Sequence, residues 1–219
     1  MLNTIRRLTV ALILLGTAFG CAAEQPQVAI EASPSESSQP TAATSLTASS
    51  RPAQKTETVS VEGETEEMLL ELYDESAVPF TTYFPAEFMV ADGGCSDEGC
   101  GYRFSAKAGT DAAYVHFFFP SGSPTVAEMK ESYLENLLAS NNWQRLETPA
   151  QSLPYPWVRE FVRFFDPQKK SPGQVIIGEA QGQVFAIIEF MEAEFVEGFA
   201  PRVVAIYENL EFRDSASQP

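Results

Sequence analysis

The chain has 219 residues, with 14 Lys+Arg against 30 Asp+Glu, a formal net charge of −16 and one histidine. This balance argues against a nucleic-acid partner, because phosphates need a clustered Lys/Arg face and the basic residues here are scattered among acids. One histidine and three cysteines also disfavour a zinc site, which usually takes four Cys/His ligands.

Residues 1–21 are laid out as an export signal: Arg6 and Arg7, an apolar run Leu8-Thr9-Val10-Ala11-Leu12-Ile13-Leu14-Leu15, then small residues up to Gly20-Cys21. The apolar run is shorter than the roughly 20 residues that span a bilayer, so it reads as a cleaved address and not a permanent helix. Ala18-Phe19-Gly20-Cys21 resembles the lipobox of bacterial lipoproteins, with Ala18 and Phe19 departing from its usual residues. The resemblance implies that Cys21 is acylated and becomes the first residue of an exported, membrane-anchored protein facing the periplasm or cell exterior. The alternative is a plain secretory signal with an incidental cysteine. Removal of the signal takes Arg6 and Arg7 with it and no acid, leaving a net charge of −18. With Cys21 lipidated, Cys95 and Cys100 form an even pair in an oxidising compartment and are expected to form a disulfide.

Residues 22–64 are rich in Ser, Thr, Pro, Ala, Gln and Glu and contain no aromatic residue. Such a segment cannot bury enough surface to offset ordering entropy, so it reads as a disordered tether. Residues 65–213 read as one globular α+β domain and 214–219 as a tail, and most of the 16 phenylalanines lie in the domain.

Within the domain, residues 65–73 open as a short helix capped by Thr65, although so short a run also fits a strand. Phe80-Thr81-Thr82-Tyr83-Phe84-Pro85 is a strand, placed at an edge by its terminal proline. Residues 92–101, with four glycines, read as a loop pinned by the Cys95–Cys100 bridge. Its acids Asp92, Asp97 and Glu98 are candidate calcium ligands, against the plainer reading of a solvated loop, since the EF-hand spacing is absent.

Residues 102–106 and 114–119 are strands, the second apolar on both faces and therefore central. His116 within it has no partner at a spacing that makes a known catalytic motif, so it reads as structural. Thr125-Val126-Ala127-Glu128 is a capping box that starts a helix ended by Asn141-Asn142. Its stripe Val126, Met129, Tyr133, Leu137 and Leu138 is core. Residues 143–146 read as strand and 157–165 as another strand, with Trp157, Arg159, Phe161 and Arg163 on one side. Arg159 and Arg163 suit gripping a carboxylate, or pairing with neighbouring acids. Residues 175–179 and 184–190 form an antiparallel hairpin about Gln181-Gly182. Glu189, Glu192, Glu194 and Glu197 cluster in sequence, and paired carboxylates can run glycoside hydrolysis if held about 5–9.5 Å apart. A last helix over residues 200–209 has Pro201 in its first turn, and Leu210-Glu211-Phe212 closes as a strand.

This order of elements predicts an α+β fold with a mainly antiparallel sheet covered by helices in an α/β/α sandwich. The strand 80–85 ending in proline, the capped helix after Phe119-Pro120 and the closing helix into Leu210-Glu211-Phe212 resemble the PsbP-like fold of extrinsic photosystem II subunits and their relatives. That resemblance implies an accessory, partner-binding protein and carries no binding residue with it. No motif calls for a cofactor. The expected function is a membrane-tethered, non-catalytic binding or assembly module acting on another envelope protein, with a cell-envelope hydrolase using the acids of 189–197 as the alternative.

Overall fold

The strand Phe80–Phe84 (β3) is buried at every position, and the rest of the fold is arranged to cover it. The computed structural model describes residues 51–61, 63–75, 77–147 and 153–213, all within one compact unit, Thr47–Pro219. Among them the protein is mainly antiparallel β with two helical segments, an α+β organisation in which the strands form two sheets. The first sheet has the order β1 (Gln54–Val61), β2 (Glu64–Tyr73), β3 and β11 (Glu211–Phe212). The second runs β4 (Met89–Ser96), β5 (Gly99–Ala106), β6 (Ala113–Pro120), β10 (Gln183–Met191), β9 (Ser171–Ala180), β8 (Val158–Asp166), β7 (Gln144–Arg145). The expected sheet is thus divided in two.

Several local expectations change. Residues 65–73 are not a helix but most of β2, where Met68 and Leu70 point inward and Leu69 and Glu71 outward. That period of two, together with full-length pairing to β1, outweighs the cap-like Thr65. β1 itself lies inside the stretch assigned to the tether, so the folded domain begins well before residue 65. Its mixture of Lys55, Glu57 and Val59 hides the strand, because only alternate positions are partly covered. The proposed signal at 1–21, the rest of the tether and the tail at 214–219 lie outside the described residues. β3 is not an edge strand: it pairs with β2 on one side and β11 on the other. Pro85 falls just beyond its end, where no ladder donor is needed.

Residues 92–101 are not a loop. They are the facing ends of β4 and β5, joined at a two-residue turn, Asp97-Glu98, between the partners Ser96 and Gly99. The glycines serve close packing here, since a Cβ on Gly93 would stand 2.5 Å from the Tyr102 ring.

The capping box forms as expected, with Glu128 N donating to Thr125 Oγ1 and Thr125 N donating to the Glu128 carboxylate. The helix runs as α1 (Val126–Glu128), a π turn (Met129–Leu134) and α2 (Glu135–Ser140). Leu134, one turn before Leu138, also belongs to the buried stripe, and the wider π turn brings it closer to the face of Met129. Asn142 takes a left-handed φ of 55° just past the helix end.

The last helix, α3 (Val196–Glu208), starts earlier than expected, after a 3-10 turn at Ala193–Phe195. Pro201 therefore stands in its interior and leaves the carbonyl of Glu197 without the amide donor that residue 201 would supply in a regular helix.

The second sheet is covered on both faces. Met129, Leu134 and Leu138 pack on Val162, Phe164, Ile177, Ala186 and Ile188. The opposite face meets α3 and β3 in an aromatic core, with Phe80 and Phe117 centred 4.8 Å apart and Phe185 and Phe212 4.9 Å apart. α3 also touches the first sheet, through Ala205 against Met68, Leu70 and Tyr83.

Candidate functional site

Residues of β10 alternate between the two faces of the second sheet, and odd positions face α3: Phe185, Ile187 and Met191 are in its core. Glu189 shares that parity and is a carboxylate on a largely apolar face. The hairpin β9–β10 is closed by Gln181 (φ 49°) and Gly182 (φ 74°), both left-handed, as a tight two-residue turn requires. This turn sets the register, placing Gln174 opposite Glu189, and the β8–β9 pairing then places Arg163 opposite Gln174. Arg163, Gln174 and Glu189 thereby form a row across three strands.

α3 supplies the fourth member. Tyr207 Oη donates to Glu189 Oε2 at 2.8 Å, and Gln174 Nε2 donates to the same oxygen at 2.7 Å. Burial raises the Glu189 carboxyl above its ordinary value, and the two donated hydrogen bonds oppose that rise without cancelling it. Burial likewise pushes the Tyr207 phenol far up, with the Glu189 charge adding to the effect. The row opens on a cleft of about 240 Å³ lined by Arg163, Pro172, Gln174, Glu189, Met191 and the α3 residues Val196 and Ala200, among others.

The other acids of the sequence cluster do not join it. Glu192 pairs with Lys169 at 2.9 Å, and Glu194 and Glu197 are exposed in the 3-10 turn and first turn of α3. Arg159 sits at a β-bulge between Val158 and Glu160 and is paired with Glu179 at 3.0 Å. No family model matches this chain, nor does any curated protein or solved structure.

Cys95 and Cys100 are disulfide-bonded and are direct cross-strand partners in β4 and β5. Asp92 is opposite Arg103, about 16 Å along the strand from the turn that carries Asp97 and Glu98. Among the described residues no three His, Cys, Asp or Glu side chains converge. His116 stands half-buried over Gly101, where a Cβ would come within 2.6 Å of its Nε2, and burial followed by the Arg103 charge lowers its pKa. Cys21 lies outside the described residues, and no described helix is long and apolar enough to cross a membrane.

Gln174 and Tyr207 are the site residues that composition and spacing do not reveal. The signal for Gln174 is the hairpin register alone: counting outward from Gln181-Gly182 sets residue 174 against residue 189. For Tyr207 no short-range signal exists, since it arrives from a separate helix.

Proposed function

We propose that this is an exported lipoprotein, anchored through acylated Cys21, whose folded body is a non-catalytic binding or assembly module for another envelope protein. The observation that carries the reading is an apolar stripe on the outer side of α3. Val196 (41% exposed), Ala200 and Val204 (43% exposed) recur every four residues along one helix face. Ala200 and Val204 also line a groove of about 530 Å³ with Thr58, Val59 and Ser60 of β1, flanked by Glu57 and Glu208. Exposed apolar side chains with acids on the rim suit a partner that presents an apolar anchor beside basic residues. The finer architecture, a PsbP-like α/β/α sandwich, belongs to the same reading, as do the tether and the lipid.

The hydrolase alternative draws on one feature, the raised pKa of Glu189 in a cleft. Against it, Glu189 is the one acid among the described residues lining its cleft, where it is engaged by Tyr207 and Gln174, while Glu192 is paired with Lys169.

Three measurements test the reading. Val204→Asp combined with Glu208→Lys should leave the circular dichroism spectrum unchanged and abolish capture of the envelope partner by crosslinking in intact cells. Cys21→Ser should move the protein out of the membrane fraction. Turnover of glycan, ester or peptide substrates, lost when Glu189, Glu192, Glu194 and Glu197 are all changed to Gln, would replace the binding module with the hydrolase.

A further inference from the structure

The cleft over Glu189 adjoins the α3 groove, sharing Ala200 with it, and has the chemistry of a small-molecule site. Its floor holds an acceptor whose direction is set: both hydrogen bonds to Glu189 end on Oε2, and Oε1 accepts none among the described residues. The Gln174 side chain uses Nε2 on Glu189, which leaves its carbonyl oxygen as a second acceptor beside it. At the other end of the row is a cation without a partner. The arginines at 51, 103, 145, 159, 202 and 213 are each within salt-bridge distance of a carboxylate. Among the described residues, Arg163 is the arginine that is not, in a chain with a net charge of −16. Its side chain is exposed and lines the cleft.

The charges narrow the ligand. The backbones of Arg163 and Glu189 stand two strands apart in register, with Gln174 between them, and all three side chains share one face of the sheet. A cation and an acidic acceptor lining one cleft call for a ligand that carries an anionic and a cationic group together. An α-amino acid carries its ammonium and carboxylate on one carbon. Pro172, Met191, Val196 and Ala200 make the remaining wall apolar, which suits an aliphatic side chain and leaves a charged one unpaired. A volume of about 240 Å³ suits a single amino acid.

We propose that this cleft binds a free α-amino acid with an aliphatic side chain, its ammonium held by Glu189 and Gln174 and its carboxylate by Arg163. The proposal does not depend on the partner-binding role of α3, and the two can fail separately.

The test uses the full-length protein, with leucine and valine as ligands, followed by amide chemical shifts and by titration calorimetry. Saturable binding is expected, with the amides of Gly173, Gln174 and Met191 shifting. Isopentylamine, which lacks the carboxylate, and 4-methylpentanoate, which lacks the ammonium, should each bind at least tenfold more weakly than leucine. Arg163→Gln removes an exposed side chain, should fold as the parent does, and should weaken leucine at least tenfold while leaving isopentylamine unchanged. Glu189→Gln should weaken leucine and isopentylamine alike. No saturable binding at millimolar amino acid would overturn the proposal, as would leucine affinity unchanged in Arg163→Gln or equal affinity for isopentylamine. Aspartate or a leucine-led dipeptide binding as well as leucine would overturn the assigned ligand class.

Discussion

At Glu189, burial and hydrogen bonding act in opposite directions on one carboxyl, and the net upward shift shows that burial is the larger effect. The unfolded chain holds this group near its ordinary value of 4.5, so the folded state binds the proton more tightly. The contribution to stability is therefore complete below about pH 4.5 and is lost as pH rises through the higher folded value. Glu189→Gln keeps an acceptor for Tyr207 and removes the ionisation. In thermal unfolding the variant should gain on the wild type as pH rises from 4 to 7, and a constant difference between them would contradict this account. A second residue-scale prediction concerns Gly178 of β9. A Cβ there would stand 2.3 Å from Cζ of Phe185, a ring with no exposed surface wedged among Phe119, Trp157 and Phe212. With no room for the ring to move, Gly178→Ala should cost about 1–3 kcal/mol, read as a lower urea midpoint with an unchanged slope.

At the scale of elements, the helical segment from residue 126 to 140 depends on its start. Thr125 and Glu128 satisfy first-turn amides reciprocally, and the hydrogen bonds lower the Glu128 pKa. Both side chains are exposed, so Thr125→Ala removes the cap without opening a cavity. The expected loss is about 1 kcal/mol, measured by urea unfolding. The packing farther along the helix is set by tertiary contact. A π turn costs regular hydrogen bonding, and it is placed where Met129 and Leu134 can both reach the sheet, beside the ring of Tyr133 stacked 5.1 Å from that of Phe118.

For the molecule as a whole, the decisive boundary is the start of the fold. β1 pairs with β2 along its length, from Gln54 opposite Glu71 to Val61 opposite Glu64. Arg51 donates to Thr81 Oγ1 at 2.7 Å and the Asn209 carbonyl at 2.9 Å, and its guanidinium lies 4.5 Å from the centre of the Tyr83 ring. The buried Tyr83 hydroxyl in turn donates to Pro52 O at 2.7 Å. A chain beginning at Thr65 loses all of these and leaves a buried hydroxyl without its acceptor, a loss of about 1–3 kcal/mol before the strand pairing is counted. It should unfold at clearly lower urea than a chain beginning at Arg51, which should match the full-length protein. Equal midpoints for the two shortened chains would place the domain boundary back at residue 65.

What the sequence determines by itself is local. The capping box, the helix ended by Asn141-Asn142, the hairpin about Gln181-Gly182 and the Cys95–Cys100 disulfide depend on residues a few positions apart, and each is legible in its own segment, although the strands that carry the two cysteines are not. Glu189 and Arg163 are legible too as unusual residue types in strands, but not as members of one row. Their meeting depends on two registers and on which face of β10 looks at α3, and those are set by burying Phe185, Ile187 and Met191 against a helix that follows in the chain. The same is true of β1 and β2, whose weak alternation has no preference of its own until each strand supplies the other's hydrogen bonds. Short-range chemistry names the elements, whereas pairing between distant strands, driven by the burial of one face, chooses which side chains share a site.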